Sequence, residues 1–193
     1  MEKSCSNVAR PSLRSVEGDV LPESFYSRET RTVAKELLGK LLRARVGRTW
    51  RSGIIVEDEA YLRNDSACHA YKGETKRNHS MFMEPGTAYV YRIHQVYCLN
   101  AVTREGEAVL IRAMSPEENI RLPTDGPGRL CRALSVTREA HDGVSLVKSK
   151  NLQICEANRL GRFDVGVSTR IGISKGKEEP YRFFVENNAF LSR

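Results

Sequence analysis

The sequence holds no apolar run that approaches the length of a membrane span, which excludes helical membrane insertion as its role. Its opening residues, MEKSCSNVARPSLRS, lack the apolar stretch of a secretory signal, so an intracellular, cytoplasmic protein is expected. The acceptor-like triplet Asn64-Asp65-Ser66 then carries no meaning for glycosylation. Cysteine is scarce and scattered. The five residues Cys5, Cys68, Cys98, Cys131 and Cys155 form no CxxC pair, and His69, His79, His94 and His141 fall at no ligand spacing from them. That excludes a disulfide framework and predicts reduced structural thiols, with no metal. Internal repeats and long biased tracts are also missing, which argues against a solenoid or a fibre.

What is present suits one domain of ordinary size. The chain has 193 residues, 40% hydrophobic and 28% charged, enough to bury a core. A formal charge of +7 favours an anionic partner such as nucleic acid, phosphates or anionic lipid. Charge alone does not choose among these, since many soluble proteins are mildly basic.

Residues 1 to about 20 are polar and weakly periodic, and read as a mobile tail ahead of a domain spanning 21–193. Val33, Ala34, Leu37, Leu38, Leu41 and Leu42 recur at helical spacing, which predicts an amphipathic helix from Thr30 to Gly39 before a first strand at Leu41 to Val46. Short segments rich in Ile, Val and Tyr follow at Ser52 to Tyr61, Thr87 to Ile93, Val96 to Val102 and Ala108 to Met114. The connection near Arg92 to Gln95 is so tight that only an antiparallel hairpin fits. A second helix is predicted in PGRLCRALSV, with Leu130, Cys131 and Leu134 on one face, and further strands at Leu152 to Cys155, Thr169 to Ile173 and Tyr181 to Val185. The expected fold is α+β: a curved, mainly antiparallel sheet, partly open and barrel-like, with helices around it.

The stretch from Gly53 to Asn100 is the richest in chemistry. If Ile54 to Tyr61 is a strand, Glu59 and Tyr61 project from the same face. A carboxylate beside an aromatic platform can hold a planar base and activate a water against it. Glu57 shares that face by parity, so spacing does not choose between the two acids, and Glu57, Asp58 and Glu59 could equally be a solvated strand end. The long segment from Leu62 to Gly86 carries His69, Lys72, Thr75, Lys76, Arg77, Asn78 and His79, with Ala67, Met81, Phe82 and Met83 as anchors. Loops of that length in compact domains are functional or disordered, and the anchors favour order and function.

At this point the residues carry a resemblance. AKELLGKLL at 34–42, IVEDEAYL at 55–62, ACHAYKGETKRN at 67–78 and MFMEPGTAYVY at 81–91 resemble motifs of the alkyladenine DNA glycosylases. So do CLN at 98–100, VLIRAMSP at 109–116, DGPGRLCRAL at 125–134, RIGI at 170–173 and PYRFFV at 180–185, all in the family's order. The family is also called N-methylpurine or 3-methyladenine DNA glycosylase, and the likeness is to its mammalian-type structural class. It implies excision of alkylated or deaminated purines from duplex DNA by a monomer working without a cofactor. Glu59 matches the general base, Tyr61 and Tyr91 the rings that sandwich the flipped base, His69 a hydrogen-bonding pocket residue, and Asn100 the side chain that rejects guanine's 2-amino group. Thr75, Arg77, Arg112 and Arg129 match phosphate contacts. No catalytic lysine stands out, so the resemblance implies a monofunctional enzyme that leaves an abasic site.

Two departures stand against the family pattern. The hairpin from Tyr91 to Asn100 lacks the family's aromatic wedge and the glycine beside it, leaving Ile93, His94 or Arg92 to fill the gap left by a flipped base. Glu74 stands where a basic residue is usual. The rivals are a non-catalytic binder of damaged DNA, and a structural or RNA-binding β domain; the second leaves the grouping of Glu59, Tyr61, His69 and Tyr91 unexplained.

Overall fold

The computed structural model describes residues 18–157 and 160–192. Two short helices lead, α1 (Glu23–Tyr26) and α2 (Thr30–Leu37). In α2 the helical spacing of Val33, Ala34 and Leu37 gives one buried face. Its N-terminus is capped by Glu29, whose carboxylate accepts the Thr32 N–H at 2.8 Å. The helix stops at Leu37, short of the predicted Gly39, because Leu38 already has extended backbone.

Strands β1 (Leu41–Val46) and β2 (Thr49–Tyr61) form one hairpin, and β3 (Ala88–Ile93) and β4 (Val96–Val102) the predicted second. The second turn rests on His94 and Gln95, with φ of 45° and 67°. Positive φ at both central residues matches the twist of paired strands, though glycine and asparagine usually supply it. The chain continues through β5 (Ala108–Glu118), α3 (Pro127–Leu134), α4 (Arg138–His141), β6 (Leu152–Cys155), β7 (Val165–Ser168) and β8 (Arg182–Val185).

All strand pairings are antiparallel, in the order β3-β4-β5-β2-β1-β6, with β8 joining β2 to β7. The spine is β2. One of its edges pairs with β5; the other pairs with β1 from Thr49 to Ile54 and with β8 from Glu57 to Glu59. The register against β5 shifts between Ile55 and Glu57 and again between Glu57 and Asp58. Such bulges bend and twist a strand, which lets β2 leave one neighbour and take another. The result is the expected α+β fold, a curled antiparallel sheet with helices packed on it. Leu37, Val56, Ile111, Leu130, Leu134 and Phe183 are among the core side chains.

One strand differs from expectation. Residues 169–173 form a loop, and the strand lies earlier, at Val165–Ser168. The cause is side-chain bonding: Arg170 turns inward onto the carbonyls of Ala60 and Gly176, and the Ile171 N–H bonds a carboxylate instead of a ladder partner. The segment from Leu62 to Gly86 is a series of turns ending in a 3-10 turn (His79–Phe82). Met81 is buried and Phe82 partly so, whereas Met83 faces solvent. Of the expected tail, residues 1–17 lie outside the described residues; Val20 bridges Cys155 and Leu21 is buried. Among the described residues, no helix is long and apolar enough to cross a membrane.

Candidate active site

Glu57, Asp58 and Glu59 are all 0% exposed, so the end of β2 is not a solvated strand end. Alternation sends Glu57 and Glu59 to one face, where both reach Arg112 of β5 at 3.0 and 3.1 Å. Their surroundings differ. Glu57 accepts from Arg112 Nε at 3.0 Å, Arg182 Nε at 2.8 Å, and the Ser192 N–H and hydroxyl, each at 2.5 Å. A carboxylate offers about four acceptor positions, and Glu57 meets four donors, three of them crowded on Oε1 and the Ser192 N–H alone on Oε2. Burial pushes its pKa up, but the hydrogen bonds from Arg182 and Ser192 outweigh that and hold it below the usual carboxylate range.

Glu59 keeps room. Oε2 accepts the Tyr61 hydroxyl at 2.8 Å; Oε1 accepts the Ile171 N–H at 2.8 Å and sits 3.1 Å from Arg112 Nη1. Three partners leave about one acceptor position. Burial, then the Glu59 charge, pushes the Tyr61 phenol up, so its O–H remains the donor. In front of these groups opens a cavity of about 440 Å³, lined by Tyr61, Arg112 and Ile171 as well as by Tyr91, His69 and Asn100. Glu59 therefore stands one layer behind the cavity wall, and its three partners belong to that wall.

Tyr61 lines the cavity from β2 and Tyr91 from β3. His69 meets the Tyr91 ring edge-on, with centroids 4.5 Å apart and planes at 73°. Its Nδ1 lies 2.8 Å from the Tyr89 hydroxyl. Burial, then the Arg77 charge, lowers the His69 pKa and favours the neutral ring. Burial holds the Tyr89 phenol protonated, and the direction of the contact follows the ring tautomer: where the Tyr89 O–H donates to Nδ1, Nε2–H is the ring's donor. Asn100, buried on β4, spends its amide hydrogens on the carbonyls of Tyr89 at 2.9 Å and Cys98 at 3.4 Å. Its carboxamide is thus fixed in the cavity wall.

A neighbouring cavity of about 410 Å³ lies on the other side of His69, among Thr75, Arg77, Arg92 and Arg138. Thr75, though exposed, bonds within its own loop: its N–H and hydroxyl donate to Asn78 Oδ1 at 2.6 and 2.8 Å, while buried Asn78 Nδ2 donates to the carbonyls of His69 and Gly73. Glu74 is taken by His79 at 2.5 Å. At the hairpin tip Ile93 lines the main cavity, Arg92 faces the other, and His94 occupies the turn. Ile93 and Val96 are 46% and 42% exposed. Val96 leans on α3 at Gly128, where a Cβ would stand 2.8 Å from the valine Cβ. Arg129, exposed at the start of α3, pairs with Asp125 at 2.8 Å.

The geometry thus brings Tyr61, His69, Tyr91, Asn100, Ile93 and Arg112 to one cavity, with Glu59 behind its wall, Thr75 and Arg77 on its neighbour and Arg129 apart. Arg112, which matched a phosphate contact, is buried between two carboxylates and lines the main cavity. Sequence reading missed Tyr89, whose position two residues before Tyr91 was its only local signal. It also missed the loop that delivers Ile171, and Lys175 on the cavity rim.

The model of the family described as Methylpurine-DNA glycosylase (MPG) matches residues 24–189. A protein of Carboxydothermus hydrogenoformans is 41% identical over 190 residues, covering 90% of this chain and 99% of the relative. A protein of Methanoculleus marisnigri is 44% identical over 192 residues, and one of Legionella pneumophila strain Corby is 43% identical over 181; each match covers 90% of this chain and 98% of the relative. All three bear the name "Putative 3-methyladenine DNA glycosylase". With the family's model covering nearly all the described residues, and relatives of matching length, the chain belongs to the methylpurine-DNA glycosylase family.

Proposed function

We propose that this chain is a monofunctional DNA glycosylase that flips alkylated or deaminated purines out of duplex DNA and hydrolyses the N-glycosidic bond with a water activated by Glu59. The 3-methyladenine, hypoxanthine and ethenoadenine class is the proposed substrate range. One observation carries the reading: a fixed carboxylate with an acceptor position to spare, backing an aromatic cavity of about 440 Å³. That volume falls within the roughly 300–1,000 Å³ typical of small-molecule sites.

The steps follow from the site. C1′ is out of reach inside a stacked duplex, so the nucleotide must rotate out, at a cost of a few kcal/mol that a weakly stacked lesion reduces. Tyr61 and Tyr91 offer faces to the base, worth about 1–3 kcal/mol per stacked base. In the tautomer that accepts the Tyr89 O–H at Nδ1, His69 presents Nε2–H to a lesion acceptor. Asn100, held by two carbonyls, cannot swing aside for a 2-amino group, which disfavours guanine. Water oxygen then bonds C1′ as the C1′–N bond breaks; the electron pair leaves with the purine, and the water proton passes to Glu59. Every group invoked comes from one chain, so a monomer suffices.

For backbone contact, the reading keeps Arg77 and Arg129 and gives Arg112 to the cavity. Thr75 contributes loop shape through Asn78. Arg77→Ala is expected to weaken binding about equally across sequences and to reduce the salt slope of affinity by about 1, read by titration across ionic strength. Ile93 is the wedge that the geometry favours over Arg92 and His94. Ile93→Gly should slow excision from duplexes yet spare single-stranded substrates, and equal rates on duplex would move the wedge elsewhere.

The direct test uses a duplex with one hypoxanthine or 1,N6-ethenoadenine, incubated and then heated in alkali. Scission only after alkali is expected. A shifted band without scission supports the non-catalytic binder. Scission without alkali, with a borohydride-trapped complex lost in Lys175→Ala, would replace the monofunctional reading with a lyase.

A further inference from the structure

The loop 169–180 has no strand to hold it, yet it supplies the N–H that orients Glu59. Arg170 keeps it in place. Its side chain is 0% exposed; Nη1 donates to the Ala60 carbonyl at 3.0 Å and to the Asp65 carboxylate, and Nη2 donates to the Gly176 carbonyl at 3.0 Å. The guanidinium sits 4.7 Å from the Tyr61 ring centroid and 5.2 Å from that of Tyr181. Gly176 takes φ of 56°, and a Cβ there would stand 2.5 Å from Asp65 Oδ1 and 3.0 Å from Arg170 Nη2. One planar cation therefore ties the end of β2, the turn at Asp65 and the far side of the loop.

The consequence reaches both oxygens of Glu59. Ile171, next in sequence to Arg170, holds Oε1, and Tyr61, backed by the Arg170 guanidinium, holds Oε2. The geometry points to Arg170, clamped by Asp65 and Gly176, as a positioning residue that aims Glu59 and Tyr61 without itself touching the substrate. This rests on the glycosylase reading above. Lysine cannot replace it fully, because a point charge does not span a carboxylate and two carbonyls as the planar fork does.

The test compares wild type with Arg170→Ala, Arg170→Lys, Asp65→Asn and Gly176→Ala, well below their melting temperatures. Single-turnover excision of hypoxanthine, affinity for the same duplex and thermal unfolding are measured together. Misplacing reacting groups by about 1 Å can cost about 10²-fold in rate. A loss of that order is expected for Arg170→Ala, with affinity held within about threefold and Arg170→Lys in between. Should Arg170→Ala fail to fold, Asp65→Asn and Gly176→Ala carry the same comparison. Rates that stay at wild type, or that fall only in step with affinity, overturn the assignment. A wild type inert on every lesion counts instead against the glycosylase reading.

Discussion

Glu59→Gln should lower single-turnover excision by roughly 10²–10⁴, the usual worth of positioned base catalysis, while lesion binding persists. The substitution keeps the shape and an oxygen for one donor, so the aromatic cavity stays built. What disappears is the proton acceptor for water and a negative charge near the developing sugar cation. Glu57→Gln makes the contrast. Glu57 takes four donors from Arg112, Arg182 and Ser192, and removing its charge leaves Arg182 without its carboxylate and Arg112 with Glu59 alone. Breaking a buried pair costs about 3–5 kcal/mol, so its effect should show in unfolding. The pH sense follows from its lowered pKa: its contribution is present above the unfolded carboxyl value, about 4.3, and is lost as pH falls through the lower folded value. Retained turnover in Glu59→Gln, with loss in Glu57→Gln at unchanged stability, would exchange the two roles.

That contrast shows what the sequence could and could not say. Parity placed Glu57 and Glu59 together, and the structure bears this out through their shared Arg112. Choosing between them by donor count needs Ile171 and Ser192, more than a hundred positions downstream, which no local periodicity reports. Apolar spacing predicted α2 and α3, because burial of one face decides those elements, and the tight connection near Arg92 to Gln95 predicted the β3–β4 hairpin. The same reasoning failed at residues 169–173, where the apolar alternation of RIGI looks like a strand. There a buried cation overrides propensity, and its partners Asp65 and Ala60 are again remote. Tyr89 looked like any core tyrosine, since its tie to His69 crosses from a loop to a strand.

Asp58 should give the largest change in stability. It is buried on the opposite face of β2 from Glu57 and Glu59, and neither oxygen has a hydrogen-bond partner. Burial first, then the Glu59 and Glu57 charges, raises its pKa well above the usual carboxylate range, so the folded protein holds it neutral. Unfolded, the carboxyl ionises near about 3.9. Above that pH the folded chain binds the extra proton, so stability is full below about pH 4 and declines as pH rises toward the folded pKa, by up to about 1.4 kcal/mol per unit. Asp58→Val removes both the titration and the unpaired polar group. Leaving such a group buried costs about 1–3 kcal/mol, so the variant should be stabilised by that much near pH 4 and by more at pH 8. Each kcal/mol is worth about 2–4 °C in a domain of this size. Asp58→Asn isolates the titration: its stability should match wild type near pH 4 and exceed it increasingly at higher pH. Urea unfolding from pH 4 to 8 decides the matter, and a constant gap between Asp58→Asn and wild type would mean the carboxyl ionises freely. The two charged acids on the other face are tolerated because Arg112 and Arg182 neutralise them, whereas Asp58 has only its proton. Excision below the melting temperature should therefore survive Asp58→Val, since the cations that serve Glu59 never reach through the sheet to its neighbour.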